Sequence, residues 1–275
     1  MIENIKVFAA DIDGTLRQKG EDLGDINRQA LEQLHSRGVL MGLASGRPFD
    51  QRILDNAKQW NLSFEFDFAI CCNGAQLWSK HDNQVRVLYN LDQKRCEKIV
   101  RTLDANDFNA INYINGYELV YTLKLDRFLE DSLRRNGSIV EFVSVDKMCQ
   151  FPANKIELHY EDEREDDIQR LARELSKEEG IKAVKTHTNC MEFVDPRVNK
   201  GVALKEYCKI MNIDINDVIS FGDMDNDYEL IRDAGWGVCL KNGCDACKSV
   251  AKAITEYECD EGGVGHYLFD YYLNK

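Results

Sequence analysis

Short apolar runs alternate with helical patterns at the start of this 275-residue chain, and this alternation limits the possible folds most strongly. The runs "IKVFAADI" at 5–12 and "VLMGLAS" at 39–45 are nearly continuous in apolar residues, which is typical of strands buried on both faces of a parallel sheet. The segment 25–38 between them has apolar residues at helical spacing and ends at a glycine. A helical pattern at 48–61 and an apolar run at 66–73 complete a βαβαβ order, which predicts a parallel sheet with right-handed crossovers.

The pattern changes after residue 74. From about 75 to 190 the predicted strands alternate between apolar and polar residues, and Asn115-Gly116 within 111–123 predicts a tight type I′ hairpin turn. Helical patterns separate these strands, at 92–106, 125–137 and 165–178. This part of the chain therefore predicts an α+β insert with antiparallel pairing.

Buried-strand patterns return after the insert, at 217–223 and 235–240, so we expect the parallel sheet to resume near residue 192. The predicted fold class is α/β, a Rossmann-like parallel-sheet core with an inserted α+β domain. We expect residues 1–81 and 190–275 to form the core and residues 82–189 to form the insert.

Composition and charge exclude several kinds of partner. The chain has 48 acidic and 35 basic residues, a formal net charge of -13, and no dense lysine and arginine cluster that would follow a phosphate backbone, so we expect no nucleic-acid partner. Its N-terminus has only a short apolar stretch between acidic residues, which fits neither a signal peptide nor a membrane span, and we expect no membrane partner and a cytoplasmic location. Nothing in the sequence indicates the oligomeric state.

Ten cysteines are scattered through the chain, mostly in apolar runs, and we interpret them as reduced core residues. Cys244 and Cys247 have the CxxC spacing of a zinc knuckle or a redox pair. Because no second CxxC or nearby histidine pair completes a four-ligand set, we expect them to lie on two faces of a short helix.

Polar residues that follow the buried strands identify the candidate site, because ligands bind outside the carboxyl ends of the strands in an open parallel sheet. These residues are Asp11 and Asp13 after the first strand, Ser45, Gly46 and Arg47 after the second, Asp223, Asp225, Asn226 and Asp227 after a later strand, and Lys200 before a predicted helix.

The pair Asp11 and Asp13 indicates a cation. Two adjacent carboxylates repel each other, and burying both in ionised form without compensation costs several kcal/mol. Mg²⁺ accepts a few carboxylate oxygens together with water and phosphate oxygens, and Asp223 can supply a further carboxylate. A hydroxyl such as Ser45 and an ammonium such as Lys200 suit the oxygens of a phosphoryl group during transfer. The set therefore favours phosphoryl transfer.

Four motifs stand in a fixed order around the insert: "DIDGTL" at 11–16, "LASGR" at 43–47, "NKG" at 199–201 and "FGDMDND" at 221–227. Taken alone, an Asp-Gly pair after a strand also fits an ordinary turn, and Lys200 fits an exposed lysine. Together, the motifs resemble those of the haloacid dehalogenase-like phosphohydrolases. The chain resembles the Cof-type subfamily, in which a cap domain is inserted between the second and third motifs. The insert at this place, the stretch "CNGA" and the stretch "EGGVGHYL" carry this resemblance.

The resemblance implies roles for individual residues. Asp11 would be the nucleophile that forms an aspartyl-phosphate, and Asp13 would protonate the leaving oxygen and then deprotonate the attacking water. Thr15 would stabilise the turn after the strand by its hydroxyl, and Arg47 would support the site.

The resemblance also implies the ligands of the phosphoryl group and of the metal. Ser45, Gly46, Lys200 and Asn226 would bind the phosphoryl group. Mg²⁺ would bind to Asp11, to the backbone carbonyl of Asp13 and to Asp223, while Asp227 would orient Lys200 or a metal-bound water.

The resulting hypothesis is a Mg²⁺-dependent phosphatase that hydrolyses a small phosphorylated metabolite, with sugar phosphates as the first class and the cap domain as the selector of substrate. A phosphomutase or phosphotransferase of the same fold is the first alternative. A phospho-acceptor signalling module is a second, although the insert and Asp13 argue against it. A sensor that binds a sugar phosphate without turnover is a third. The sequence identifies neither the physiological substrate nor the cap residues that select it.

Overall fold

The structure, a computed structural model, describes residues 4–187 and 189–274. The chain forms two compact units, divided between Leu88 and Tyr89 and again between Val198 and Asn199. We call the discontinuous one the core unit and the continuous one, 89–198, the inserted unit.

The first part of the core unit alternates strands and helices and then adds a hairpin. Its elements are β1 (Val7–Asp11), α1 (Asp25–Ser36), β2 (Leu40–Ala44), α2 (Gln51–Gln59), β3 (Phe68–Cys71), β4 (Gln76–Ser79) and β5 (Gln84–Val87).

The inserted unit mixes strands and helices. Its elements are α3 (Gln93–Ala105), β6 (Ile111–Asn115), β7 (Leu119–Thr122), α4 (Arg127–Asn136), β8 (Ile139–Phe142), α5 (Val145–Met148), β9 (Ile156–His159), α6 (Glu165–Leu175), β10 (Lys182–His187) and β11 (Cys190–Val194). The strands form a six-stranded sheet in the order β10-β11-β9-β6-β7-β8. Its pairs are antiparallel except β7 with β8, which are parallel.

The second part of the core unit returns to the strand-helix alternation. Its elements are α7 (Lys200–Met211), β12 (Val218–Gly222), α8 (Tyr228–Asp233), β13 (Trp236–Cys239), α9 (Asp245–Val250), β14 (Ala253–Ile254) and α10 (Gly263–Leu268). The core sheet has eight strands in the order β14-β13-β12-β1-β2-β3-β4-β5. The six strands from β14 to β3 run parallel, and β4 and β5 are antiparallel additions at the edge. The predicted α/β fold class with a parallel-sheet core is confirmed.

Both faces of β1 are covered, which explains its continuous apolar run. Phe8 and Ala10 belong to one hydrophobic cluster, together with residues of α1 and α10. Val7 and Ala9 belong to a second cluster on the other face, together with residues of α7. Because side chains alternate along a strand, Asp11 points to the same face as Val7 and Ala9, the face that α7 covers.

The division between the units differs from the expected one at 82 and 190. β5 lies after residue 82, but it pairs with β4 in the core sheet. β11 begins at residue 190, but it pairs with both β9 and β10 inside the inserted sheet. The apolar run of β11 resembles a core strand because β11 is buried throughout, in the middle of a sheet.

The hairpin between β6 and β7 also differs in detail from the expected one. The N–H of Glu118 donates to the carbonyl of Asn115, so Gly116 and Tyr117 are the two central residues of the turn. Gly116 has a positive φ of 53°, whereas Asn115 and Tyr117 do not, so the turn is not of type I′. The pairing of β6 with β7 also has an irregular register between Tyr113 and Asn115, directly before this turn.

Among the described residues, no helix is both long and apolar enough to cross a membrane. All ten cysteines are free thiols, and Cys244 is the least buried of them. Cys244 is the N-cap residue of α9 and Cys247 lies in the first turn of that helix. The pair thus lies at the start of a short helix, close to the expected position on two of its faces.

Candidate active site

Asp11 contacts Lys200 because the last residue of β1 faces the first turn of α7. Asp11 ends β1 and faces α7, and Lys200 is the first residue of that helix. The side chain of Asn199 caps α7 by accepting a hydrogen bond from the N–H of Val202, at 2.8 Å. This cap fixes the beginning of α7 at Lys200.

Lys200 is completely buried between two carboxylates. Its Nζ lies 2.6 Å from Oδ1 of Asp11 and 2.6 Å from Oδ1 of Asp227. Burial by itself lowers the pKa of an ammonium, but Asp11 and Asp227 outweigh it and raise the pKa of Lys200 above its ordinary value. The lysine is therefore a fixed positive charge, and it joins the end of β1 to the loop after β12.

Asp227 organises that loop. Its Oδ2 accepts hydrogen bonds from the backbone N–H of Asp223, at 3.0 Å, and of Met224, at 3.2 Å. With Lys200 on Oδ1, both oxygens of the Asp227 carboxylate are engaged. Asp227 therefore holds the loop and the lysine in place.

Asp223 is held from the opposite side by the turn that follows β1. The hydroxyl of Thr15 donates to Oδ1 of Asp223, at 2.7 Å, and both residues are buried. Gly14 has a positive φ of 94°, and a Cβ at this position would lie 2.4 Å from Oδ2 of Asp223. Only glycine allows the turn and the carboxylate to approach so closely.

The carboxylates of Asp11, Asp223 and Asp227 can place one oxygen each within 4.8 Å of one another. Burial, with Asp227 and Asp223 nearby, outweighs Lys200 and raises the pKa of Asp11 well above its ordinary value. Burial and Asp227 likewise raise the pKa of Asp223 to about 6. One ammonium thus does not balance the three carboxylates, and their oxygens are the hard donors that Mg²⁺ prefers, so the residues fit this ion. Asp11 and Asp223 are the better ligands, because Asp227 has both oxygens engaged.

Asp13 lies apart from Lys200 and is paired with arginines. Its carboxylate forms an ion pair with Arg47, and its Oδ1 lies 3.2 Å from a guanidinium nitrogen of Arg17. Asp13 is partly exposed, and its charge contributes to the raised pKa of Asp223, so it lies within electrostatic reach of the metal-binding candidates.

The remaining candidates lie around the turn after β3. The backbone N–H of Ser45 donates to the carbonyl of Ile70, and the carbonyl of Ser45 accepts from the N–H of Asn73. Oδ1 of Asn73 accepts from the side chain of Asn226, at 3.0 Å, and a Cβ on Gly46 would lie 3.1 Å from the same oxygen. Ser45, Gly46 and Asn226 are therefore linked through Asn73.

Two residues of this arrangement are absent from the sequence-based set. Arg17 lies four residues after Asp13, at a spacing that predicts no contact outside a helix, and the tight turn at Gly14 brings them together. Asn73 precedes Gly74 in "CNGA" and has a positive φ of 54°. An Asn-Gly pair after a strand signals such a turn, but its contact with Asn226 joins positions 153 residues apart.

Comparison with known proteins identifies the family. The model of the haloacid dehalogenase-like hydrolase family matches residues 8–268. The chain therefore belongs to this family, and the resemblance inferred from the motifs is confirmed.

The relatives include named phosphatases. The chain is 25% identical over 261 residues to 5-amino-6-(5-phospho-D-ribitylamino)uracil phosphatase of Bacillus subtilis, covering 94% of this chain and 93% of that protein. It is 26% identical over 271 residues to the HMP-PP phosphatase of Yersinia pestis, covering 96% and 94%. A crystal structure of a haloacid dehalogenase-like hydrolase from Bacteroides thetaiotaomicron superposes with a TM-score of 0.83 at 22% identity, covering 98% of this chain and 100% of that one. The predicted enzyme class, a phosphatase of this family, agrees with these relatives.

Removing the buried ammonium should destabilise the protein strongly. In Lys200→Met the carboxylates of Asp11 and Asp227 lose their shared partner, so we expect the free energy of unfolding in EDTA to fall by about 3–5 kcal/mol. Denaturant unfolding followed by circular dichroism measures the change.

The matched control is Lys205→Met in the same helix. Lys205 is half exposed and pairs with Asp233 at 2.9 Å, so its loss should cost about 0–1 kcal/mol. Equal losses for the two variants would contradict the importance of the buried ion pairs.

Proposed function

We propose that this protein is a Mg²⁺-dependent phosphatase that hydrolyses a small phosphomonoester through a phosphorylated Asp11. The observation that carries the proposal is the buried carboxylate of Asp11, which ends the central strand β1 next to Lys200 and Asp223. Family membership and the named phosphatases among the relatives support the same reaction.

Asp11 is the proposed nucleophile. One of its oxygens, Oδ1, accepts a hydrogen bond from Lys200, which orients the carboxylate and leaves the other oxygen for attack on phosphorus. In the first step an Asp11 oxygen bonds to phosphorus while the ester oxygen leaves. In the second step water attacks the same phosphorus, and Asp11 is regenerated as a carboxylate.

Asp13 is the proposed acid and base for these two steps. Its ion pairs with Arg17 and Arg47 hold the Asp13 carboxylate in place, and in the second step it would accept a proton from water. Protonation of the leaving oxygen in the first step requires Asp13 to carry a proton. Asp13 would thus give one proton to the leaving oxygen and take one from water, so that the two steps together leave it unchanged.

The phosphoryl group needs donors around its oxygens, and Ser45, Gly46, Asn226 and Lys200 are the proposed ones. Ser45 and Lys200 are buried, so donors at these positions are shielded from water and strengthen their interaction with the charge of the transition state. The hydrogen bond between Asn73 and Asn226 positions the amide of Asn226.

Asp11 and Asp223, with the backbone carbonyl of Asp13, are the proposed Mg²⁺ ligands. When bound, the ion neutralises phosphate charge and compensates the excess of carboxylates. Thr15 and Asp227 then act as positioning residues, because Thr15 holds Oδ1 of Asp223 and Asp227 holds the backbone of the loop.

We propose sugar phosphates as the substrate class. We also propose that the inserted unit is the cap domain that selects the substrate and that the enzyme is cytoplasmic. The phosphoribityl group in the name of one relative supports this class. The different name of the second relative argues for small phosphorylated metabolites in general rather than for one compound.

Phosphate release from a panel of small phosphate esters tests the reaction. We expect the wild type to release phosphate with Mg²⁺ and to lose activity in EDTA. We expect Asp11→Asn to lose activity by a factor on the order of 10³ or more, because the amide is not a nucleophile toward phosphorus. A colorimetric phosphate assay at saturating Mg²⁺ measures both.

The matched control is Asp22→Asn, an exposed aspartate of the core unit that should retain wild-type activity. An isomerised ester without free phosphate would indicate a phosphomutase. Absence of any turnover by the folded wild type with Mg²⁺ would contradict the proposed hydrolysis.

The metal requirement tests Asp223. Asp223→Asn keeps an oxygen for Thr15 but removes a ligand charge, so we expect the Mg²⁺ concentration for half-maximal activity to rise at least about 10–100-fold. A titration of activity with Mg²⁺ at saturating ester measures the shift. Asp225→Asn, which removes one exposed charge from the same loop, should leave the half-maximal concentration near that of the wild type. Equal shifts for the two variants would contradict a ligand role for Asp223.

A further inference from the structure

The inserted unit has a polar cluster on one face of its sheet. In the antiparallel pair of β9 and β11, Glu157 lies opposite Glu192 and His159 lies opposite Cys190. Paired residues share a face, so these four side chains stand together. Their neighbours along the strands point to the other face, where Ile156, Leu158, Met191 and Phe193 belong to the hydrophobic core of the unit. The polar cluster is therefore separate from that core.

Three of these side chains bring different ligand atoms together. A carboxylate oxygen of Glu157, a ring nitrogen of His159 and the sulfur of Cys190 all lie within 4.8 Å of one another. Glu157 and Cys190 are buried, and 19% of the His159 side chain is exposed. Nδ1 of His159 is itself buried and has no hydrogen-bond partner, which is unusual for a buried ring nitrogen. The ring is held by stacking on Phe128, with 5.6 Å between the ring centroids.

A buried lysine lies beside the cluster. Nζ of Lys155 donates to Oε2 of Glu157 at 2.7 Å and to Oε1 of Glu192 at 2.6 Å, so two glutamates share one ammonium. Lys155 therefore holds the side chains of Glu157 and Glu192 together on this face of the sheet.

We propose that Glu157, His159 and Cys190 form a binding site for a divalent transition metal ion of the Zn²⁺ type. Carboxylate oxygen, imidazole nitrogen and thiolate sulfur are the ligand set that Zn²⁺ uses in proteins, whereas Mg²⁺ prefers oxygen ligands alone. The site is therefore chemically distinct from the aspartate cluster of the core unit. Three protein ligands leave a fourth position of a tetrahedral ion for water or another small ligand.

Neighbouring groups support the three ligands. The hydroxyl of Tyr113 donates to Oε1 of Glu157 at 3.0 Å, as outer hydrogen bonds do at metal-bound carboxylates. Burial, with Glu157 and Glu192 nearby, raises the pKa of the Cys190 thiol, and the hydroxyl of Thr186, which donates to its sulfur at 3.4 Å, opposes this shift in part. On metal binding the S–H bond of Cys190 breaks, a sulfur–metal bond forms and the proton passes to solvent, with no change of oxidation state.

Cobalt spectroscopy on the full-length protein tests the site. We expect anaerobic Co²⁺ titration of the metal-free wild type to produce a near-ultraviolet sulfur-to-cobalt charge-transfer band, together with the visible absorption bands of tetrahedral Co²⁺. The charge-transfer band should saturate at one ion per chain, and Zn²⁺ should abolish it by displacing Co²⁺. Cys190→Ser should abolish the charge-transfer band. His159→Gln should retain it but weaken Zn²⁺ affinity by at least about 100-fold, as loss of a ligand does.

Two other cysteines serve as controls. Cys149→Ser removes a buried thiol of the same unit outside the cluster, and Cys247→Ser removes a thiol of the CxxC pair in the core unit; both should retain the band. Thermal unfolding gives an independent readout, because Zn²⁺ should raise the Tm of the wild type more than that of Cys190→Ser. A band that persists in Cys190→Ser, a band that disappears in Cys247→Ser, or no band in the folded wild type would overturn the proposal.

Discussion

The ion pairs of the buried Lys200 are the interaction on which the candidate active site depends. One ammonium holds the end of β1 through Asp11 and the loop after β12 through Asp227. Asp11 and Lys200 are 189 residues apart in sequence, and α7 follows the entire inserted unit. The parallel sheet brings them to one edge, because its strands end together there. The lysine then locks the arrangement, since leaving either carboxylate buried without it costs several kcal/mol.

The same ion pairs leave a charge imbalance. Asp11, Asp223 and Asp227 face one ammonium, and the raised pKa values of Asp11 and Asp223 reflect the cost of ionising both without a further cation. A divalent cation would resolve this imbalance by neutralising the carboxylates, and Lys200 would then remain as a donor to phosphate oxygens. Excess buried carboxylate is therefore the physical reason for which we propose a metal ion at this site.

Much of the fold and the site was predictable from the sequence. Buried parallel strands carry continuous apolar runs, and polar residues at the ends of such runs must lie at the same edge, so Asp11, Ser45 and Asp223 could be identified. The boundaries of the inserted unit could not, because β11 is buried like a core strand although it belongs to the other sheet. The ion pairs of Asp13 with Arg17 and Arg47 were also not predictable, since they depend on the turn at Gly14 and on contacts between separate strands.

The proposed reaction depends on transfer of the phosphoryl group to Asp11, and chemical trapping can detect this transfer. The enzyme is quenched in acid during hydrolysis of its best ester and treated with borohydride, which reduces an acyl phosphate to the alcohol, and the peptides are then mapped by mass spectrometry. We expect homoserine at position 11 in the sample quenched during turnover and aspartate at that position in the sample without ester. Phosphate release with Asp11 unmodified, or homoserine at another aspartate, would contradict it.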